Sequence, residues 1–110
     1  MINLRGKKCI PCEGGDEPFD KGKINQYLPL LSLSWEVKDD KSISYTFKKK
    51  SFKEAISFVN DIADLAEEEQ HHPNIHIYYN KVKIVLTTHA IGGLSENDFI
   101  MAAKIEGLPT

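Results

Sequence analysis

The sequence predicts an α+β fold, a two-layer sandwich with a four-stranded antiparallel sheet in one layer and helices on one face of it. Two segments alternate apolar and polar residues on both sides of a polar turn, and segments with helical periodicity precede, separate and follow them. Alternation with a period of two is typical of half-buried strands, and apolar residues every three or four positions are typical of amphipathic helices. Two hairpins separated by a helix favour one sheet in the order α-β-β-α-β-β-α.

The 110 residues fit one domain, and we predict a single domain over 1–110. Residues 1–19 carry glycine, proline and charge without periodicity, which predicts an irregular N-terminal arm. A helix is predicted from Asp20, and Pro29 should kink it or end it early. The apolar positions of this helix are Ile24, Tyr27, Leu28 and Leu31.

The first hairpin is predicted to pair 33–37 with 42–48 across a polar turn at 38–41. The second hairpin has Asn80-Lys81 as its two-residue turn, because asparagine tolerates the positive φ that such turns demand. In that register Tyr79 faces Val82. The alternating apolar positions of the second hairpin are Ile75, Ile77, Tyr79, Val82, Ile84 and Leu86.

Two further helices have N-terminal capping patterns. Ser51 to Glu54 forms a capping box, and the helix it opens should end near Gln70, before Pro73. Another capping pattern at 95–98 opens the last helix. The stripe predicted for the longer helix comprises Phe52, Ala55, Ile56, Val59, Ile62, Ala63 and Ala66, and the last helix carries Phe99, Ala102, Ala103 and Ile105.

Composition argues against several functional classes. The net charge of -2 gives no general attraction to nucleic acid or to anionic membranes. No apolar run approaches the roughly 20 residues that span a bilayer, and residues 1–8 lack the apolar stretch of a secretory signal. We therefore expect an intracellular, cytoplasmic protein.

Cys9 and Cys12 form a CxxC pattern. A redox CxxC needs a strand before it and a helix after it, whereas here Pro11 and Gly14-Gly15 indicate a loop. A zinc site would need two more ligands nearby, and the next histidine is His71. Free thiols in an N-terminal loop are the favoured interpretation, with redox and zinc roles as the alternatives.

All four histidines lie between positions 71 and 89: His71, His72, His76 and His89. The predicted hairpin register places His72 opposite His89, where the two Cβ atoms are roughly 4.5–5.5 Å apart. His71 adjoins them, while His76 lies on another level. Three imidazoles should therefore converge at the open end of the hairpin, with Glu67 one helical turn earlier.

The histidine cluster suits acid/base chemistry or a metal. Three histidines can hold zinc with an open position. Adjacent histidines point in different directions in extended chain, however, and this suits the walls of a pocket better than convergent ligands. Imidazole titrates near neutral pH and can both give and take a proton. We therefore favour acid/base catalysis and predict no metal. The alternative is that these are surface histidines without a catalytic role.

At this point the residues resemble the pterin-4a-carbinolamine dehydratase family over nearly the whole chain. The resemblance is densest over 67–98, and Cys9-x-x-Cys12-x-Gly14-Gly15 is similar to the N-terminal arm of bacterial and plant-like members. The motif residues are Glu67, His71, His72, Pro73, Tyr79, His89 and Asp98. The sequence departs from the family at Ile75 and His76, where members often have an aromatic pair.

The resemblance implies an enzyme that eliminates water from 4a-hydroxytetrahydropterin, giving quinonoid dihydropterin in tetrahydrobiopterin recycling. It implies that His71 and His89 are the acid/base pair, that His72 orients the pterin and that Glu67 holds or tunes a histidine. The pterin is the substrate, so no cofactor is expected. The residues implied to bind substrate are His71, His72, Pro73, Thr88, His89, Ala90 and Ile91.

Asp98 has a complete structural explanation as the third residue of a capped helix, so we interpret it as structural before catalytic. The resemblance also implies a homodimer or homotetramer, and an exposed sheet edge makes self-association physically plausible. Two alternatives to the enzyme remain. One is a binding module, since animal relatives serve as dimerisation cofactors for a transcription factor, and the other is a small zinc protein.

Overall fold

A computed structural model of the protein describes residues 3–10 and 17–109. Cys12, half of the CxxC pattern, lies outside the described residues. The helices are α1 (Lys21–Tyr27), α2 (Phe52–Glu69) and α3 (Glu96–Glu106), and the strands are β1 (Glu36–Lys38), β2 (Ser42–Lys48), β3 (Asn74–Tyr78) and β4 (Lys81–Leu86). Short 3₁₀ helices occupy Leu4–Gly6, Leu28–Leu30 and His89–Ile91.

The four strands form one antiparallel sheet in the order β1-β2-β4-β3. On β4, the side chains of Val82, Ile84 and Leu86 are fully buried, while those between them are not. This alternation shows that one face of the sheet is covered, and both α2 and α3 pack against β4. The predicted α+β fold class, with its four-stranded antiparallel sheet, is confirmed.

Helix α3 is the most buried element. Ser95 caps it, and the Asp98 side chain completes the capping box that the sequence predicts. Nearly every residue from Asn97 to Ile105 is buried, so this helix is enclosed rather than amphipathic. Phe99 packs against the rings of Phe19 and Tyr27, with centroids 6.0 and 5.3 Å away. The segment before α1 and α1 itself therefore pack against α3.

The two other helices begin where the caps predict. Asp20 caps α1, which ends early at Tyr27 because Pro29 continues the chain as a 3₁₀ helix. In α2 the predicted stripe is partly wrong, since Phe52 and Ala63 are exposed. The buried residues of α2 are Ala55, Phe58, Ile62, Ala66 and Glu69. The buried stripe is rotated toward Phe58, whose ring centroid lies 5.0 Å from that of Phe47 in the sheet.

Strand β1 is shorter and begins later than predicted. The Glu106 carboxylate accepts hydrogen bonds from the main-chain N–H of Ser32 (2.9 Å) and Leu33 (2.8 Å) and from the indole N–H of Trp35 (2.9 Å). These contacts hold the segment before Glu36 in an irregular loop. The main-chain N–H of Leu33, the first residue of the predicted strand, is thereby used by the end of α3.

The predicted register of the second hairpin is wrong by two positions. Tyr78 pairs with Lys81 and Ile77 with Val82, so the turn is Tyr79-Asn80. Tyr79 takes the positive φ, 55°. Asn80 is held at the second turn position because its side chain donates to the Lys49 carbonyl (3.0 Å). A slip of two keeps every side chain on its predicted face.

The described N-terminal residues 3–10 run along α3 and, apart from their 3₁₀ helix, are irregular as predicted. The buried side chain of Leu4 joins the core. The Arg5 guanidinium donates to the Ala103 carbonyl (3.0 Å), and the Lys104 ammonium donates to the Arg5 carbonyl (3.0 Å). The arm is therefore bound to α3 by both apolar and polar contacts.

Within the residues that the structure describes, no helix combines the length and the apolar character needed to cross a bilayer.

Because Glu106 satisfies three N–H donors, Glu106→Ala should lower the free energy of unfolding by about 1–3 kcal/mol. Urea denaturation followed by Trp35 fluorescence measures this change, and Trp35 is the single tryptophan of the chain. Glu68→Ala is the matched control: Glu68 is exposed and its removal should change stability by less than about 0.5 kcal/mol. Equal midpoints for the two variants would contradict the role given to Glu106.

Candidate active site

A cleft of about 370 Å³ opens between the C-terminal end of α2, the loop after β4 and the start of α3. This volume falls in the range of small-molecule sites. Its lining residues are Ile10, Gln70, His71, His72, Thr87, Thr88, His89, Ala90 and Asn97. A larger groove of about 700 Å³ is lined by Lys48, Lys49, Lys50, Glu54 and Asn80 and contains no histidine. The three histidines of the predicted cluster, His71, His72 and His89, therefore line the smaller cleft.

His71 reaches the cleft because α2 ends in a left-handed residue. Gln70 has a φ of 54°, and its N–H donates to the carbonyl of Ala66. The N–H of His71 donates to the same carbonyl, at 3.3 Å. This end reverses the chain as a left-handed cap does. As a result, His71 lies beside α3 rather than continuing along α2.

Asp98 fixes the imidazole of His71. The carboxylate is fully buried, and its Oδ1 lies 2.7 Å from His71 Nε2. Its Oδ2 accepts hydrogen bonds from the Thr88 hydroxyl (2.8 Å) and the Ser95 N–H (2.9 Å). A carboxylate only accepts hydrogen bonds, so this contact favours the tautomer of the neutral imidazole that has its proton on Nε2 and a lone pair on Nδ1.

His72 points away from this buried pair. Its Nε2 lies 2.5 Å from Glu67 Oε2, and both side chains are largely exposed. Exposed pairs of this kind contribute little to stability. The two adjacent histidines therefore have different carboxylate partners and different solvent exposure, as their alternation in extended chain predicts.

His89 is supplied by the loop between β4 and α3. This histidine and Ala90 are exposed residues of a 3₁₀ helix. The loop is closed by Thr88, whose N–H donates to the Gly93 carbonyl at 2.8 Å. A Cβ at Gly93 would come within 2.6 Å of Pro18, so the segment before α1 packs closely against this loop.

The cleft brings together five of the predicted site residues, namely His71, His72, Thr88, His89 and Ala90. Glu67 reaches the site only through His72, and Pro73 and Ile91 are not among the lining residues. His76 lies outside, opposite Lys83 in the sheet. The predicted pairing of His72 with His89 is wrong, because the hairpin register differs and β3 begins only at Asn74.

Several residues of the cleft are not predicted by the sequence patterns. Gln70 and Thr87 are the sequence neighbours of the predicted residues His71 and Thr88, so their position next to the motif is a signal for them. Ile10 and Asn97 meet across 87 positions of sequence, and no periodicity signals such a contact. The contact between Asp98 and His71 was also missed, although both belong to the motif, because the capping box already explained Asp98.

The arrangement can donate, accept and hold protons. It offers imidazoles of different exposure, one of them fixed by a buried carboxylate, together with hydroxyl and amide groups. No three His, Cys, Asp or Glu side chains within residues 3–10 and 17–109 are grouped so that they could hold a metal ion. Burial, followed by the nearby Glu69, raises the pKa of the Cys9 thiol to about 12, which disfavours a reactive thiolate there.

Comparisons with known proteins agree on one family. The sequence model of the family described as pterin 4 alpha carbinolamine dehydratase matches residues 17–108. A relative from Alkaliphilus metalliredigens is 48% identical over 106 residues, which cover 96% of each chain. One from Nitrosomonas eutropha is 44% identical over 108 residues, covering 98% of this chain and 95% of the relative. Both relatives carry pterin-4-alpha-carbinolamine dehydratase as a provisional name.

A solved structure has the same fold. It is described as the transcriptional coactivator/pterin dehydratase from Brucella melitensis, and it is 33% identical, with a TM-score of 0.77 over 83% of this chain and 97% of that one. Residues 17–108, which the family's sequence model matches, include every residue described as lining the cleft except Ile10. The chain therefore belongs to the pterin 4 alpha carbinolamine dehydratase family, a family of hydro-lyases.

Proposed function

We propose that the protein dehydrates a 4a-hydroxytetrahydropterin to quinonoid dihydropterin and water. The observation that carries this proposal is the Asp98–His71 pair in a cleft that His72 and His89 also line. Membership of the family supplies the substrate class. The physiological setting we propose is the recycling of tetrahydrobiopterin, in the cytoplasm.

The reaction requires two proton transfers. The C4a–O bond and the N5–H bond break, a C4a=N5 double bond forms, and water leaves. An acid must protonate the departing hydroxyl while a base accepts the N5 proton. Two imidazoles in different environments can divide these two tasks. A positioned acid or base of this kind typically accelerates a reaction by about 10²–10⁴-fold.

We assign the base to His71. Its Nε2 proton is donated to Asp98, so Nδ1 carries the lone pair that can accept the N5 proton. The buried carboxylate then stabilises the imidazolium that forms, as an aspartate does in a catalytic triad. His89, exposed on its 3₁₀ helix, delivers the proton to the leaving hydroxyl.

The other cleft residues bind and orient the pterin. His72, held by Glu67, lies next to His71 and orients the ring. Main-chain groups of 71–72 and 89–90, which line the cleft, offer donors and acceptors to its polar edge. The pterin is the substrate of this chemistry, and we propose that neither a metal nor an organic cofactor takes part.

A second candidate function is that of a binding module for another protein. It is favoured by the Brucella melitensis relative, whose description includes transcriptional coactivator. The two functions are separable, because a binding module does not need the Asp98–His71 pair. Loss of dehydration in histidine variants that still fold would assign the cleft to catalysis.

We also propose that the protein forms a homodimer or homotetramer. In the described part of the chain, β3 pairs only with β4, and exposed Ile77 and Tyr78 lie along it. Phe52, at the start of α2, is 49% exposed. An open edge and an exposed aromatic residue are surfaces that a second copy can cover.

Light scattering should therefore give a molar mass that is twice or four times the chain mass of 12.4 kDa. We propose that the exposed surface around Phe52 on α2 joins two dimers into a tetramer. Phe52→Lys should then lower the mass of a tetramer to that of a dimer without unfolding the chain, because it places a charge in that contact. A mass of 12.4 kDa at all protein concentrations would contradict self-association.

Dehydration of freshly generated 4a-hydroxytetrahydropterin, followed by ultraviolet absorbance, tests the proposed activity. Wild type should accelerate it, and His71→Ala and His89→Ala should each lower kcat by about 10²–10⁴-fold, because each removes one proton-transfer group. His76→Ala is the matched control: it removes an imidazole outside the cleft and should keep the wild-type rate. A folded wild type that gives no acceleration would refute the enzyme and favour the binding module.

A further inference from the structure

Few of the side chains that line the cleft are aliphatic. Apart from Ile10 and Ala90, the side chains of its lining residues are polar. A pterin presents hydrogen-bonding groups along its edges but largely apolar faces, which pack against apolar and aromatic side chains. Of the lining residues, Ile10 has the only large aliphatic side chain, and it belongs to the N-terminal arm rather than to the sheet or to α2.

Ile10 is held in place although its side chain is 68% exposed. The Asn97 side chain engages both main-chain groups of Ile10: Oδ1 accepts from the N–H (2.9 Å), and Nδ2 donates to the carbonyl (2.5 Å). Two hydrogen bonds from one side chain fix the main chain of the arm at Ile10. The asparagine thus fixes an exposed apolar side chain at the mouth of the cleft.

The preceding residue provides a second anchor. The N–H of Cys9 donates to the buried Glu69 carboxylate at 2.8 Å. Burial alone would raise the pKa of Glu69, but this hydrogen bond and the charge of Lys104 outweigh it, and the pKa lies below its ordinary value. Glu69 is therefore an ionised acceptor at neutral pH, and Cys9 and Ile10 are both bound to the helices that form the cleft.

We propose that Ile10 is a substrate-binding residue that packs against a face of the pterin ring, and that Asn97 is the positioning residue that holds it there. The inference rests on the proposed dehydratase function and extends the site to the arm. The arm then contributes to binding of the ground state and of the transition state alike. Loss of the Ile10 side chain should therefore raise KM and leave kcat unchanged.

Steady-state kinetics of Ile10→Ala tests this directly. KM should rise about 5- to 20-fold, since three methyl or methylene groups are removed from a partly buried contact, while kcat stays within twofold. The dissociation constant of 7,8-dihydrobiopterin, measured by calorimetry, should rise by a similar factor. Lys8→Ala is the control on the same arm: Lys8 is exposed and does not line the cleft, so both constants should remain unchanged.

Asn97→Ala and the double variant test the positioning role, with thermal unfolding and hydrogen exchange of the Ile10 amide as checks on folding and on arm docking. If Asn97 acts through Ile10, Asn97→Ala should expose that amide, and adding Ile10→Ala should raise KM little further. Additive effects would overturn the positioning role, because Asn97 would then bind substrate by itself.

The outcomes separate the two levels of the argument. An active wild type with the same KM and pterin affinity in Ile10→Ala as in Lys8→Ala would overturn the role of Ile10 and leave the dehydratase intact. A folded wild type that neither dehydrates nor binds pterin would overturn both.

Discussion

The buried carboxylate of Asp98 is the group on which the site depends most. It is fully excluded from solvent and accepts hydrogen bonds from three parts of the chain, namely the N-cap of α3, the loop after β4 and His71 beyond α2. A buried carboxylate is stable only when such partners surround it. Removing one partner of a buried pair typically costs about 3–5 kcal/mol. The same carboxylate thus caps a helix, joins two loops and orients an imidazole.

The residues beside Asp98 in the first turn of α3 bind further segments of the chain. Glu96 accepts a hydrogen bond from the Tyr27 hydroxyl (2.7 Å) and one from Lys7 (3.0 Å). Burial and the hydrogen bond to Glu96 raise the pKa of Tyr27 to about 12. The pKa of Glu96 lies below its ordinary value, and the hydrogen bond from the Tyr27 hydroxyl is the largest cause. With Asn97 holding Ile10, the first turn of α3 is joined to α1, the arm, the β4 loop and His71. The site is therefore assembled around the start of one helix.

Local patterns predicted much of this arrangement. Ser51, Ser95 and Asp98 are capping residues whose signals lie within four positions, and the structure has the helices where they indicate. The strand alternation gave the correct faces even where the register was wrong. The register depended on which residue of the second turn takes a positive φ, and the contact of Asn80 with Lys49, 31 positions away, decided it.

Long-range contacts account for the rest. The start of β1 is set by Glu106, more than 70 positions distant, and the arm reaches the cleft through Asn97. The motif placed His71, His72 and His89 in one region, but it did not reveal that His71 has a buried carboxylate partner while His72 has an exposed one. That difference, on which the proposed division of catalytic roles depends, exists only in the folded chain.

The tautomer of His71 tests the central claim most directly. A long-range proton–nitrogen correlation spectrum of nitrogen-15-labelled protein at about pH 8, above the ordinary pKa of imidazole, distinguishes the two ring nitrogens, and His71→Gln assigns the signals. The account predicts a proton on Nε2 and a bare Nδ1 in wild type, with the preference lost in Asp98→Asn. A wild-type His71 that carries its proton on Nδ1 would contradict it.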